Sequence, residues 1–387
     1  MEWDIAFEHG EGDKMEGRIL YVVGGKFRRG GTEAYIMNYY RHMDKSRFQI
    51  DFLVHGHEKG VYDDEIESLG GRIYYVPLKS QRPVKNIRMI YNICKAGGYQ
   101  MVHAHMDAMS YVPLKIAGKC GIKIRIAHSH NTAHMADNKM KILFNEYARK
   151  KLPLAATHYF ACSQMAGKWL FGEKNIDQVA VIPNAIDIDK FRYNKMMRKS
   201  VREKMGCTDS DIVIGHVGRY EYAKNHEYLI EVFNRLRKVS GQYRLVLIGD
   251  GSLKGAVKEK VRSYGLSESV IFVDACGNVN EYYNAFDLFC MPSRFEGFSI
   301  ALLEAQCNGL MCIVADTLTA EIDITGNVQF IPIFQNTIDI WADKILNADL
   351  CRDDDAVYKI MDHGYSIHDA AIKMEEMYVR LINSDSK

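Results

Sequence analysis

Residues 288–306 read LFCMPSRFEGFSIALLEAQ, and this stretch is the most informative about the fold. An apolar strand from Leu288 to Met291 ends at a proline, and an apolar helix begins after Glu296 and Gly297. The start of a helix presents unpaired N–H groups and the positive end of the helix dipole, so it can hold a phosphate without a lysine. The stretch therefore predicts a strand, an anion-binding turn and a helix.

Two acids frame this predicted helix start. Glu304 lies one turn inside the helix, and helical side chains lean toward the N-terminus, so we expect its carboxylate to bind the ribose diol of a nucleotide. Glu296 is expected to face the group beyond the phosphates. Solvated acids at a helix start are the alternative, but Glu304 shares its face with Ile300 and needs a partner. The residues that supply the turn and the expected phosphate-binding amides are Gly297, Phe298, Ser299 and Ile300.

The bulk composition excludes several classes of protein. Fifty basic and forty-nine acidic residues leave a formal charge of +1, so no global field favours nucleic acid. Nine cysteines without a CxxC pair favour a reducing cytosol. The first residues are acidic, unlike a signal peptide, and no apolar run reaches the roughly 18 residues of a membrane span. We therefore expect a cytoplasmic protein whose membrane contact, if present, is peripheral.

Short apolar strands alternate with helices twice along the chain, which predicts an α/β protein of two Rossmann-like domains with parallel sheets facing a central cleft. A length of 387 residues suits two domains. The predicted strands are 19–23, 48–54, 72–76, 101–104, 124–127, 158–161, 179–182, 212–217, 244–248, 270–273, 287–291 and 311–314. The predicted units are a flexible extension (1–17), a first Rossmann-like domain (18–185), a second Rossmann-like domain (186–368) and a C-terminal helix (369–387) that crosses back to the first domain.

Two loops that follow predicted strands carry further candidate residues. Gly218, Arg219 and Lys224 follow the strand 212–217, and both cations are expected to converge on a pyrophosphate. Two surface cations are the alternative. Gly30 and Gly31 precede a predicted helix that Thr32 opens, and they would let the backbone approach a phosphate. A glycine pair alone is weak evidence, because most such pairs are turns.

Four histidines lie at two predicted strand ends, in the segments VHAH (102–105) and AHSH (127–130). Two H-x-H pairs can suggest a metal, but no Asp or Cys cluster with ligand spacing accompanies them, so we predict no metal site. His130 lies furthest along its strand and is expected to line a sugar pocket. His103 and His128 are expected to be buried and hydrogen-bonded.

Basic and apolar residues alternate over residues 139–152, a pattern that suits an anionic membrane surface. A solvated helix face is the alternative interpretation.

Taken in order, these segments resemble glycosyltransferase family 4 enzymes of the GT-B type over residues 18–382. The resemblance is carried by the E-x7-E pair, the G-R-x4-K loop, the GGTE loop, the VHAH and AHSHN segments and the turn PNAID (183–187). Within that family, residues 37–56 and 315–331 are similar to bacterial exopolysaccharide and capsule glycosyltransferases.

The resemblance implies a retaining transfer of a hexose or N-acetylhexosamine from a UDP-sugar, without a cofactor or metal, to a saccharide or lipid-linked acceptor. It implies that the first domain binds the acceptor and the second the nucleotide sugar. It also implies that Glu304 binds ribose and that Glu296 contacts sugar hydroxyls. Arg219 and Lys224 would hold the departing phosphates, and His130 would lie against the sugar. A UDP-sugar epimerase and a non-catalytic sugar-nucleotide-binding protein are the alternatives.

Overall fold

The computed structural model describes residues 15–134 and 139–385. Residues 1–14, most of the predicted extension, lie outside this range; Gly17 begins the first strand, and Glu16 pairs with Arg47. Two parallel β-sheets, of seven and six strands, form separate lobes. This arrangement confirms the predicted α/β class with two Rossmann-like units.

The strands follow the sequence pattern closely, because central parallel strands are buried on both faces and read as continuous apolar runs. The strands of the first sheet are β1 (Gly17–Val23), β2 (Phe48–His55), β3 (Ile73–Val76), β4 (Met101–His105), β5 (Ile124–Ser129), β6 (His158–Ala161) and β7 (Val179–Val181). Those of the second are β8 (Ile212–Val217), β9 (Tyr243–Ile248), β10 (Val270–Val273), β11 (Leu288–Met291), β12 (Met311–Ala315) and β13 (Val328–Ile331). The sequence pattern missed β13, a four-residue edge strand.

The α-helices connect these strands and cover both sheets. They are α1 (Gly31–His42), α2 (Asp63–Ser68), α3 (Pro83–Ala96), α4 (Tyr111–Lys119), α5 (Lys139–Lys151), α6 (Gln164–Phe171), α7 (Ile188–Phe191), α8 (Lys195–Lys204), α9 (His226–Arg237), α10 (Lys254–Ser263), α11 (Val279–Ala285), α12 (Ile300–Cys307), α13 (Ile338–Leu346), α14 (Ala356–Asp362) and α15 (Ile367–Asp385).

The strand order reverses at one point in each sheet. The first sheet is ordered β3-β2-β1-β4-β5-β6-β7 and the second β10-β9-β8-β11-β12-β13. In open parallel sheets, ligands bind at the carboxyl ends of the strands where the order reverses. The loops after β1 and β4, and those after β8 and β11, lie at these points.

Right-handed crossovers determine which helices cover which face of the first sheet. The chain moves from β3 through β6 in one direction, so α3, α4 and α5 share a face, while α1 and α2 cover the other. Two separate buried clusters agree with this: one contains Tyr35 of α1, and the other contains Ile90 of α3 and Leu114 of α4.

The C-terminal helix α15 packs against α1 and contributes to the core of the first lobe. Tyr378 is fully buried. Its hydroxyl lies 2.7 Å from the hydroxyl of Tyr21 and 2.7 Å from Nδ1 of His103. Glu375, one turn earlier, accepts hydrogen bonds from the backbone of Asp44 and from Arg47.

We expect Tyr378→Phe to lower the free energy of unfolding by about 1–3 kcal/mol, because it leaves two buried polar groups without this partner. Tyr358→Phe, at a side chain that is 58% exposed, is the matched control and should change stability by less than about 0.5 kcal/mol. Urea unfolding measures both. Equal stabilities of the two variants would show that the hydroxyl of Tyr378 contributes nothing.

Candidate active site

Two loops at the carboxyl ends of the neighbouring strands β8 and β11 form the centre of the site. The backbone N–H of Arg294 donates to the carbonyl oxygen of Ala223 at 2.7 Å. The side chain of Arg294 donates to Asn225 Oδ1 and stacks over the ring of Tyr222. These contacts fix the loop 218–225 against the loop 292–299. The sequence pattern did not single out Arg294, which adds a cation to the site.

Each of the two predicted phosphate-binding cations faces a carboxylate. Lys224 Nζ contacts Glu296 Oε2, and their side chains are 17% and 18% exposed. Arg219 pairs with Glu221 and is 43% exposed. The loop therefore brings Lys224 and Glu296 together, although they are 72 positions apart in the sequence.

Glycines allow this loop to pack closely. A Cβ at Gly218 would lie 3.3 Å from Cδ of Lys224, so glycine leaves room for the lysine stem. A Cβ at Gly249, after β9, would lie 2.0 Å from the carbonyl oxygen of Gly218, and Gly249 has φ +152°. Only glycine fits there, because the position combines that φ with a backbone contact.

The helix α12 begins at Ile300 with Ser299 as its N-cap, and Ser299 Oγ accepts from the N–H of Leu302 at 3.4 Å. Of the three amides expected to bind phosphate, the amide of Phe298 has a neighbour in the first lobe. The N–H of Phe298 faces the thiol of Cys162 in the first lobe. Within the described residues, the N–H groups of Ser299 and Ile300 make no hydrogen bond, and both residues are largely buried.

Glu304 has the partner that its position requires. The hydroxyl of Tyr283, at the end of α11, donates to Glu304 Oε2 at 2.8 Å. Burial raises the pKa of Glu304 to about 7, while Tyr283 and the charge of Lys190 oppose that rise. Tyr283 and Lys190 were not predicted from the sequence. They lie 21 and 114 positions away on other elements, and no local pattern links them to Glu304.

His130, directly after β5, lies where the two lobes meet. A Cβ at Gly297 would be only 2.7 Å from the carbonyl oxygen of His130. The N–H of His130 donates to Asp107 Oδ1 at 2.8 Å, and its Nε2 lies 3.0 Å from Nδ1 of His105. Burial lowers the pKa of His130 to about 3, so the ring is neutral at physiological pH. Thr132 also donates to the carbonyl oxygen of Glu296 at 3.3 Å.

The other histidines form a buried stack. His103 and His128 are fully buried, and His103 Nε2 lies 3.0 Å from His128 Nδ1, which confirms that they are hydrogen-bonded core residues. Ligand atoms of His103, His105 and His128 lie within 4.8 Å of one another, a spacing that a metal ion could use. Tyr378 and His128 already occupy both nitrogens of His103. A metal would have to displace these hydrogen bonds.

The loop of Gly30 and Gly31 ends at α1, for which Gly30 is the N-cap. A Cβ at Gly30 would lie 2.6 Å from a carboxylate oxygen of Glu33, so that carboxylate lies over the loop. Burial raises the pKa of Glu33, and Arg219 from the second lobe is among the groups that oppose this rise. The glycine loop and the Arg219 loop therefore face each other across the cleft.

Known proteins share both the sequence pattern and the fold. A model described as Glycosyltransferase Family 4 matches residues 29–190, and one described as Glycosyl transferases group 1 matches residues 197–348. The putative glycosyltransferase EpsF of Bacillus subtilis strain 168 is 36% identical over 336 residues, covering 86% of this chain and 87% of that protein. The chain belongs to glycosyltransferase family 4. The resemblance seen in the motifs is confirmed.

Two further proteins are similar to this glycosyltransferase in sequence or in fold. A UDP-Gal:alpha-D-GlcNAc-diphosphoundecaprenol alpha-1,3-galactosyltransferase of Escherichia coli is 22% identical over 372 residues, 91% of this chain and 94% of that protein. The crystal structure of Anabaena HepE with UDP and glucose superposes with a TM-score of 0.76 at 16% identity, over 94% of this chain and 99% of HepE. This glycosyltransferase has the GT-B fold and acts in polysaccharide biosynthesis.

Within residues 15–134 and 139–385, no helix is long and apolar enough to cross a lipid bilayer.

The raised pKa of Glu304 predicts how the free energy of unfolding changes with pH. The folded-state value near 7 exceeds the unfolded value of about 4.3, so the folded state loses stability as pH rises between these values. We expect Glu304→Gln to be more stable than the wild type by about 1–3 kcal/mol at pH 8, where the full penalty is present. The difference should shrink at pH 5.

Urea unfolding at pH 5 and pH 8 measures this effect. Glu268→Gln, at an exposed position, is the control and should show no such pH-dependent gain. A Glu304→Gln variant that is less stable than the wild type at pH 8 would contradict the raised pKa.

Proposed function

We propose that the enzyme transfers a hexose or N-acetylhexosamine from a UDP-sugar, with retention of configuration and without a metal, to a saccharide or lipid-linked acceptor. One observation supports this proposal above all. At the carboxyl ends of β8 and β11, the start of α12, which can bind an anion, lies beside the buried carboxylate of Glu304. Ser299 and Ile300 offer free amides to the diphosphate, and Glu304 accepts from the ribose diol. HepE, which has the same fold, was crystallised with UDP and glucose, and this supports a UDP-linked donor.

The proposed mechanism depends on stabilising the leaving group. When the bond from the sugar carbon to the diphosphate oxygen breaks, negative charge grows on that oxygen, and Arg219 and Lys224 neutralise it. In the structure, Arg219 pairs with Glu221 and Lys224 pairs with Glu296. When the donor binds, its phosphates would replace these carboxylates as the partners of the two cations. Glu296 is then free to accept from sugar hydroxyls. These two cations supply the charge that a metal supplies in other transferases.

Retention follows from attack on the same face. The acceptor hydroxyl would attack the sugar carbon from the side that the diphosphate leaves, and its proton would pass to the departing phosphate oxygen. His130 would lie against the sugar as a neutral ring, because burial keeps its pKa low. The Gly30 and Gly31 loop would approach the phosphates from the first lobe. A covalent sugar on Glu296, captured by mass spectrometry, would replace this mechanism with a double displacement.

The acceptor is proposed to be held by first-lobe loops at the cytoplasmic face of a membrane. The Escherichia coli relative is named for an acceptor linked to diphosphoundecaprenol, which supports a lipid-linked saccharide.

A panel of UDP- and GDP-sugars, scored for slow hydrolysis, tests the proposed function without an acceptor. We expect one class of UDP-sugar to release UDP and free sugar, and this release should persist in EDTA. The NMR signal of the anomeric proton in a transfer product should show retention. Isomerisation of the sugar nucleotide without UDP release would indicate an epimerase. UDP binding without turnover, even with membrane lipid extract, would indicate a non-catalytic binding protein.

We expect Arg219→Ala to lower kcat about 100-fold, because removing one preorganised charge donor typically costs about 3 kcal/mol. Arg235→Ala is a matched control. Arg235 lies on α9, its side chain is 46% exposed, and it pairs with Asp339 of α13. Thermal unfolding should show that both variants are folded. Wild-type turnover in Arg219→Ala would remove Arg219 from the mechanism.

A further inference from the structure

Charge is segregated along this nearly neutral chain. Between Glu67 and Glu173, residues 68–172 hold 16 Lys and Arg but only three Asp and Glu, a formal charge of +13. The remaining 282 residues hold 34 basic and 46 acidic residues, a formal charge of −12. The net charge of +1 therefore hides a strongly basic segment in the first lobe. That segment contains α3, α4 and α5, which cover one face of the sheet.

Helix α5 exposes most of its apolar side chains. Of its 13 residues, only Ala148 is buried. Met140 is 78% exposed, Leu143 71%, Phe144 54% and Tyr147 55%. These four positions have the i, i+3, i+4, i+7 spacing of one helix face. Large apolar side chains on one face indicate an interaction surface, because monomers rarely expose such patches.

Helix α3 exposes a similar stripe. Val84 is 78% exposed, Ile87 48% and Tyr91 41%, again at one-face spacing. Exposed Lys85 and Arg88 flank the stripe. Helix α4 contacts both α3 and α5 and lies between them, so the two stripes belong to one face of the lobe.

The helix starts on this face lack the acids that usually stabilise them. Within the described residues, α3, α4 and α5 have no acidic residue in their first turns. Helix α5 instead begins with Lys139 and Lys141, which the helix dipole disfavours. The first turn of α5 therefore adds positive charge to this face of the lobe.

The exposed apolar residues lie toward the cleft. A helix that follows a parallel strand runs back along it, so the first turns of α3 and α5 lie at the carboxyl edge of the sheet, where the cleft is. Val84 and Ile87 lie in the first two turns of α3. Met140, Leu143 and Phe144 lie in the first two turns of α5.

We propose that the exposed surfaces of α3 and α5 form a docking face for an anionic phospholipid bilayer, with the apolar stripes in the headgroup region and the cleft mouth beside the membrane. Lysines and arginines around an apolar stripe fit such a surface. A second copy of the chain fits poorly, because two faces of this charge repel each other. A polyanion such as RNA would compensate the positive charge of this face but has no apolar layer to contact Met140 and Val84.

This inference concerns binding that needs neither donor nor acceptor, so it is tested separately from the proposed transfer. Flotation with phosphatidylcholine vesicles containing about 30% phosphatidylglycerol should carry the full-length protein, and pure phosphatidylcholine vesicles should not. Met140→Ser/Phe144→Ser should lower the partition coefficient at least tenfold. Lys85→Glu/Lys150→Glu should lower it by a similar factor, and the remaining binding should be less sensitive to salt, because fewer cations face the anionic surface.

Matched controls come from the second lobe. Met196→Ser/Phe334→Ser changes a methionine and a phenylalanine that are 84% and 66% exposed, and Lys195→Glu/Lys199→Glu makes the same charge change at exposed positions. Both should bind vesicles like the wild type, and thermal unfolding should show that all four variants are folded. The proposal is overturned if the wild type does not float with anionic vesicles, or if the second-lobe variants lose as much binding. It is also overturned if RNA displaces the vesicles while Met140→Ser/Phe144→Ser has no effect.

Discussion

The contact between Gly297 and the carbonyl oxygen of His130 is the constraint on which the site depends. A Cβ at position 297 would be 2.7 Å from that oxygen, so only glycine lets the turn before α12 lie against the first lobe. Asn184, in the connection between the lobes, donates to the carbonyl oxygen of Phe298 at 2.7 Å. The turn is therefore held by both lobes. A ligand at the start of α12 lies where both lobes can contact it.

Charge in the cleft is compensated within the protein. Lys224 faces Glu296 and Arg219 faces Glu221, so the cations are not left unpaired beside the helix start. Burial removes the carboxylate of Glu304 from water and disfavours its charged form, which is why its pKa is raised. A ligand that donates to this carboxylate relieves part of the penalty. Under the proposed function, the same group lowers the stability of the fold and favours donor binding, a trade common at functional sites.

The two lobes use one topology for different purposes. Each is a parallel sheet whose strand order reverses once, and each presents its loops at that reversal. The second lobe supplies the carboxylate and helix start suited to a nucleotide. The first lobe carries a formal charge of +13 over residues 68–172 and exposes apolar stripes beside the cleft. Helix α15 links the lobes, because Tyr378 is part of the core of the first lobe.

The amino-acid sequence predicted twelve of the thirteen strands, the two-lobe plan and the segments that form the candidate site, because apolar runs, glycine turns and helix-start acids are local signals. It missed β13, whose four residues form a short edge strand. Which side chains contact each other became apparent only in the folded chain. The hydroxyl of Tyr283 donates to Glu304, Lys224 pairs with Glu296, and the thiol of Cys162 faces the amide of Phe298. These contacts join residues from separate helices and loops and, for Cys162 and Phe298, from separate lobes. The folding of the chain, not the spacing in the sequence, sets their distances.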